Sequence, residues 1–165
     1  MTPSQPKASA SDAREKWAPQ SENKRAFFKY QFEEKLEAGI VLAGTEVKAM
    51  REGRIQLRDA YALFRGSELF LVNAHISPYR LGNRENHEPL RTRKLLLHKS
   101  ELKRWWGKAQ IRGHAIIPLR TYFKDGRVKV ELGLGKSKTA FDKRRTIRER
   151  ETQREIALTT RTARR

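Results

Sequence analysis

Between Asn73 and Lys99 the chain reads NAHISPYRLGNRENHEPLRTRKLLLHK. In that run Asn73, His75, Asn83, Asn86, His87, Arg91, Arg93, Lys94 and His98 interleave planar hydrogen-bonding groups with cations. Amides and imidazoles offer donors and acceptors at fixed angles, and guanidinium and ammonium groups meet phosphate oxygens. Together they suit a nucleic acid whose phosphates, ribose hydroxyls and unpaired base edges are accessible. The same letters also describe a solvated basic loop, and as bare chemistry both stay open. A second basic run, AFDKRRTIRERETQREIALTTRTARR, extends from Ala140 to Arg165.

Catalytic chemistry is harder to build. Gly133 to Ser137 spell GLGKS, but a Walker-type phosphate loop needs a glycine five residues before Gly135, where Val130 stands. The histidines at 75, 87, 98 and 114 lack the i,i+3 or i,i+4 spacing of a helix-borne metal site, and no carboxylate cluster accompanies them. No Ser/His/Asp order can be asserted. A nuclease would need a metal or an acid–base cluster, and neither is spelled out. Catalytic residues, metals and cofactors are therefore not expected, and the activity expected is binding.

Charge names the partner class. The 37 Lys and Arg against 19 Asp and Glu leave +18, a field that draws polyanions. Nucleic acid is the expected partner and an anionic membrane the weaker alternative. Cysteine is absent, so disulfides and thiolate zinc sites are unavailable. No apolar run of signal-peptide length opens the sequence, and no segment nears the ~20 apolar residues of a membrane span. A soluble, cytoplasmic protein is expected.

The elements that must carry these residues fall into three regions. Residues 1–24 are rich in Pro, Ser, Ala, Lys and Gln and are expected to be disordered, with Trp17 a stray aromatic. Residues 25–135 contain short periodic apolar runs and form the expected domain; residues 136–165 form a basic tail. Within the domain the period is two. Phe28, Tyr30 and Phe32 alternate with Lys29, Gln31 and Glu33; AYALF and LFLVN flank a loop at Arg65 to Ser67. Asp125 and Gly126 suit a type I′ turn between two strands, the second with Val128, Val130, Leu132 and Leu134 on one face. Pro118 marks an edge or a bulge.

Two helices interrupt the strands. One is expected from Thr45 as N-cap to Gly53, with Val47 and Met50 inward. The other places Leu102, Trp105, Trp106 and Ala109 on one stripe before Gly113. That stripe is expected to be core, although a tryptophan pair is also a possible base-stacking platform. The fold class expected is mainly β: a small antiparallel barrel, closed or nearly so, with packed helices.

As strings, EAGIVLAGTEVKAMREGR, NAHISPY, NHEPLRTRKLLLHK, YFKDGRVKVELGLGK and FDKRRTIRERE resemble, in order and spacing, the SmpB family of bacterial SsrA-binding proteins. The resemblance covers about Lys29 to Leu158. It implies an OB-like barrel with two or three helices that binds the tRNA-like domain of transfer-messenger RNA and accompanies it to stalled ribosomes for trans-translation. Elongation factor Tu and alanyl-tRNA synthetase are implied as indirect partners through that RNA. The rival expectation is a constitutive small-subunit ribosomal protein. Residue by residue, Tyr30, Glu37, Tyr61, Asn73, His75, Leu96 and His98 match positions on the family's RNA face, beside the cations Arg91, Arg93 and Lys94. Tyr30, in phase with Phe28 and Phe32, has a core role as its alternative.

The tail holds 11 Lys and Arg against 4 Asp and Glu from Lys136 to Arg165, a net +7. Phe141, Ile147, Ile156 and Leu158 make no continuous helical stripe, so no face is expected to pack on the domain. Thr139 with Asp142 fits a capping box, and Arg145–Glu149 and Arg148–Glu151 fit helical pairs, a helix marginal alone. The resemblance implies that this tail becomes helical in the ribosomal decoding site and mRNA channel. It assigns Lys136, Lys138, Phe141, Asp142, Lys143, Arg144, Arg145, Arg148 and Ile156 to rRNA contacts. Two letters depart from the family pattern: Phe141 stands for a Tyr or His, and Ser137 for a glycine, which leaves the point where the tail bends open.

Overall fold

Asp125 and Gly126 have φ of 50° and 74°, the left-handed pair that a tight two-residue hairpin turn requires. They join β8 (His114–Lys124) to β9 (Arg127–Ser137), the long hairpin on which the barrel is built. The computed structural model describes residues 21–163. Before that hairpin come β1 (Ser21–Glu22), α1 (Lys24–Lys29), β2 (Tyr30–Ile40), α2 (Gly44–Arg51), β3 (Ile55–Gln56) and β4 (Tyr61–Arg65). Then follow β5 (Glu68–Val72), β6 (His75–Ile76), β7 (Arg93–Leu96) and α3 (Lys99–Ala109); after the hairpin comes α4 (Ala140–Ala163).

Strand pairing runs β8–β4–β5–β7–β2–β9 and returns from β9 to β8, all antiparallel. A ring of this kind satisfies its own edges, as expected of an OB-like barrel. The β4–β8 seam is its thinnest, held at the bridge Ala62↔Ile116. β1 lies outside the ring on β8, and β3 pairs with β6 in a separate ribbon. Alternation carries Val128, Val130, Leu132 and Leu134 inward to meet Leu69, Leu71, Leu95 and Trp105. Full burial of each such aliphatic side chain is worth about 1.5–3 kcal/mol.

Glycine gives the GLGKS run its role. β2 crosses β9 so closely that a Cβ on Gly135 would lie 2.1 Å from the Gln31 carbonyl oxygen, and one on Gly133 would lie 2.5 Å from the Phe32 ring. Only glycine admits that approach, and the register slips there between Phe32 and Glu34. A second slip, between Pro118 and Arg120, is the expected proline bulge.

Several sequence expectations need correction. Four residues ahead of the expected start at 25 are already placed on the barrel: Ser21 and Glu22 pair with β8, and Asn23 is buried, accepting from Ala26 N–H while its amide donates to the Leu57 and Pro118 carbonyls. Residues 1–20, including Trp17, lie outside the described residues. Phe28 belongs to α1 rather than to a strand, because that Asn23 cap starts a helical turn ahead of β2. α2 is capped at Ala43, with Glu46 accepting from the Ala43 N–H at 2.7 Å, and Thr45 turns instead to His87. Gly53 takes the left-handed conformation just beyond that helix, at φ 72°. The α3 stripe is split: Trp105 is wholly buried, while Trp106 is 49% exposed.

Candidate nucleic-acid interface

One open cleft of about 760 Å³ gathers Glu37 from β2, Leu96 from the end of β7 and His98 at the start of α3. These expected RNA residues are far apart in sequence, and the β7–β2 pairing, Gly39↔Leu96, brings them together. β9 completes the rim with Arg127 and Lys129. Leu96 is half exposed, an apolar ridge between polar groups, and His98 N–H donates to Glu101 at 3.0 Å to start the helix.

Glu37 is the centre of charge in that cleft. The Tyr122 hydroxyl donates to it at 2.6 Å, Lys124 Nζ lies 3.2 Å away and Lys129 Nζ 4.0 Å away. Partial burial pushes its carboxyl up, but the Tyr122 and Lys124 hydrogen bonds and both lysine charges outweigh this and hold it below the usual carboxylate range. Burial, and then the Glu37 carboxylate, push the Tyr122 phenol up, so its proton stays in place as a donor. The result is an anion that holds two cations and a hydroxyl on one outer face. A carboxylate has lone pairs beyond those this set uses, so Glu37 can still accept from an exocyclic amine or a ribose hydroxyl.

Tyr30 and Tyr61 lie in a second cleft of about 390 Å³, with Lys29, Arg58 and His114. Tyr30 has both a packed and a cleft-lining side. It packs on the small core of Ala26, Ile117 and Leu119, 6.2 Å from the Phe32 ring centroid, yet lines the cleft. Tyr61 is 39% exposed at the start of β4.

The basic run from Asn73 divides between surface and scaffold. Asn73 is exposed with φ 59°, and His75 is half-buried in β6 opposite Gln56. Lys94 is partly exposed and ion-paired to Glu68. Arg93 is a correction: its side chain is fully buried and cannot meet a ligand. It donates to Glu46 at 2.8 Å and to the Ala74, Arg91 and Pro89 carbonyls. Arg91, one third exposed, closes on the same buried Glu46 at 2.5 Å, so it too is a scaffold residue first. Asn86 ties both backbone groups of Tyr79, and His87 bridges Thr45 and the Ile76 carbonyl, which makes them loop pins. Alternation carries the signal for Arg93, which is in phase with inward Leu95. Sequence reasoning missed Tyr122 and Lys124, which bind Glu37, and Arg127 and Lys129, which line its cleft, since only the pairing of β8, β9 and β2 brings them to that place.

The tail leaves β9 after Ser137, and Lys138 and Thr139 make the bend. Thr139 Oγ1 accepts from Asp142 N–H at 3.3 Å, and Asp142 accepts from Thr139 N–H at 3.2 Å, the expected capping box. The Thr139 hydroxyl, donating to the Asp142 carboxylate at 2.6 Å, and the Thr139 amide hold that carboxyl below its ordinary value. Arg145 pairs with Glu149 at 2.9 Å. Lys136 reaches Glu33, while Lys138 Nζ donates to the Phe27 carbonyl at 3.2 Å and anchors the root. Arg144, Arg145 and Arg148 face outward, Lys143 is partly buried, and Phe141 and Ile156 are 75% and 60% exposed. The helix does touch the domain, with Arg150 set 5.8 Å over the Phe28 ring, a contact the absence of an apolar stripe did not foretell.

Fold and cleft together place the chain among OB-like nucleic-acid-binding barrels. The family model described as SmpB protein matches residues 20–162, and the chain belongs to that family. It is 54% identical over 145 residues to an SsrA-binding protein of Desulforudis audaxviator, covering 88% of this chain and 95% of that one. To the SsrA-binding protein of Symbiobacterium thermophilum it is 56% identical over 140 residues, 84% and 89% of the two chains. Among solved structures it is similar to a chain described as "tmRNA-SmpB: a journey to the center of the bacterial ribosome". The TM-score is 0.64 at 47% identity, over 74% of this chain and 87% of that one. No helix among the described residues is long and apolar enough to cross a membrane.

Proposed function

We propose that this protein is an RNA-binding adaptor that carries transfer-messenger RNA to stalled ribosomes in the cytoplasm. It acts by binding and not by catalysis. The barrel holds the tRNA-like domain of the RNA and stands where an anticodon arm is missing. The basic tail enters the decoding site and the empty mRNA channel, with Lys143, Arg144, Arg145 and Arg148 meeting rRNA phosphates and Phe141 and Ile156 offering apolar contacts. Elongation factor Tu and alanyl-tRNA synthetase join through the RNA.

The observation that carries this is the convergence of Glu37, Leu96 and His98 on one cleft rimmed by Arg127 and Lys129. Hydrogen-bond acceptors, an apolar ridge and cations in one open site match single-stranded and loop RNA rather than a duplex read through its grooves. The test is a titration of the full chain with the transcribed tRNA-like domain over a range of salt. If about five phosphates are engaged, log K falls against log salt with a slope near −4 to −5. A flat response contradicts an RNA face built on these cations. Constant, near-stoichiometric co-sedimentation with ribosomes in cells lacking transfer-messenger RNA would favour a ribosomal protein instead.

A further inference from the structure

Trp105 and Trp106 are neighbours with opposite surroundings: one is sealed in the core, the other stands half exposed on α3. Trp106 forms one wall of an open groove of about 670 Å³, floored by Phe64, Leu95 and Leu102. That size suits a small ligand or a nucleoside. Lys99, Lys103 and Trp106, at i, i+4 and i+7, share one face of the helix. Lys94 is committed to Glu68, but among the described residues Lys99 and Lys103 make no ion pair, so the rim keeps excess positive charge. Leu96 and Leu97 line both this groove and the Glu37 cleft, so the two are continuous across one leucine ridge.

We propose that this groove takes an unpaired nucleotide of the RNA held on the Glu37 cleft, its base stacked on Trp106 and its flanking phosphates met by Lys99 and Lys103. The proposal rests on the RNA binding proposed above. An indole face stacks any base, and the rim charge selects an anionic occupant. The leucine ridge gives the strand a short apolar path from one cleft to the next. An aromatic core residue would have no reason to stand half in water at the edge of such a groove.

The test uses the full chain, the transcribed tRNA-like domain of transfer-messenger RNA, and three variants: Trp106→Ala, Trp106→Phe and the double change Lys99→Glu with Lys103→Glu. Trp106→Ala should weaken binding about tenfold, the loss typical of one base–aromatic stack. Trp106→Phe should recover to within about threefold of the parent, and the double change should weaken binding and flatten the salt dependence. Melting temperatures of all four proteins should agree within a few degrees. Unaltered affinity in Trp106→Ala overturns the proposal. So does an equal loss in the Ala and Phe variants accompanied by a fall in melting temperature, which marks a packing role. A change confined to self-association in sedimentation also overturns it and assigns the groove to a second copy. If the parent itself fails to bind, the RNA-binding function falls first, and the two failures are told apart.

Discussion

Glu46 and Glu37 are both carboxylates that hold two cations, yet they do opposite work. Glu46 is wholly buried at the start of α2, saturated by Arg91, Arg93 and the Ala43 amide. Glu37 is part-exposed on β2, with Tyr122 and Lys124 bound and an open cleft in front. Burial decides the difference. A sealed ion pair offers a ligand nothing and costs several kcal/mol per ion to desolvate, repaid here because each guanidinium nitrogen of Arg93 finds an acceptor. An exposed cluster contributes little to stability, but its charges remain available. Arg91 and Arg93 therefore serve first to fasten α2 and the β6–β7 loop to the barrel, and the proposed RNA face is assembled from strands distant in sequence.

The comparison breaks most sharply at Glu46. Glu46→Ala leaves the Arg93 guanidinium buried without its partner, and a loss of about 3–5 kcal/mol is expected, or roughly 10 °C or more in thermal melting. A shift of a degree or two would show that the cluster is not sealed. Acid probes the same site more gently. Burial pushes the Glu46 carboxyl up, but Arg91, the Ala43 amide and Arg93 hold it below its ordinary value of 4.5. A group depressed on folding stabilises above its unfolded value and loses that contribution as pH falls through the lower folded value. Urea midpoints should accordingly hold steady down to about 4.5 and drop below it, and this drop should be smaller in Glu46→Gln.

Smaller effects are expected from the exposed regions. Truncating the chain after Thr139, which removes residues 140–165, deletes a helix whose outer groups are mostly in water, so the melting temperature should move little despite the Arg150–Phe28 contact. The truncated chain should still bind transfer-messenger RNA but fail in peptidyl transfer to its alanyl-charged form on stalled ribosomes. Joint charge reversal of Lys143, Arg144 and Arg145 should do the same. Full-rate transfer without the tail would reduce it to a solvated extension. The smallest effect concerns the cap: Thr139 holds Asp142 below its ordinary value of 3.8, so tail helicity by circular dichroism should fall slightly as pH drops below that range.

Local chemistry was legible in the sequence; long-range arrangement was not. The Asp125–Gly126 turn, the Pro118 bulge and the Thr139–Asp142 cap depend on residues within a few positions, and each stands where the letters put it. Barrel class followed from alternation and the resemblance. Arg93 was misassigned because charge outweighed its phase with Leu95, and Trp106 because helical spacing does not say how far a core extends around a helix. The separation of Tyr30 and Tyr61 from Glu37, Leu96 and His98 depends on strand order, which one chain's periodicity leaves unspecified. Trp105 and Trp106 make the same point within two letters.

The central claim is that the Glu37 cluster reads RNA while the Glu46 cluster only supports it, and Glu37→Ala tests it most directly. Removing a negative charge from a +18 protein should strengthen its hold on a polyanion if charge alone matters. If Glu37 instead accepts from RNA and holds Tyr122 and Lys124 in place, affinity for the tRNA-like domain should fall several-fold, with the melting temperature nearly unchanged. Equal or tighter binding in a fluorescence titration would contradict the account and leave Glu37 as one more structural ion pair.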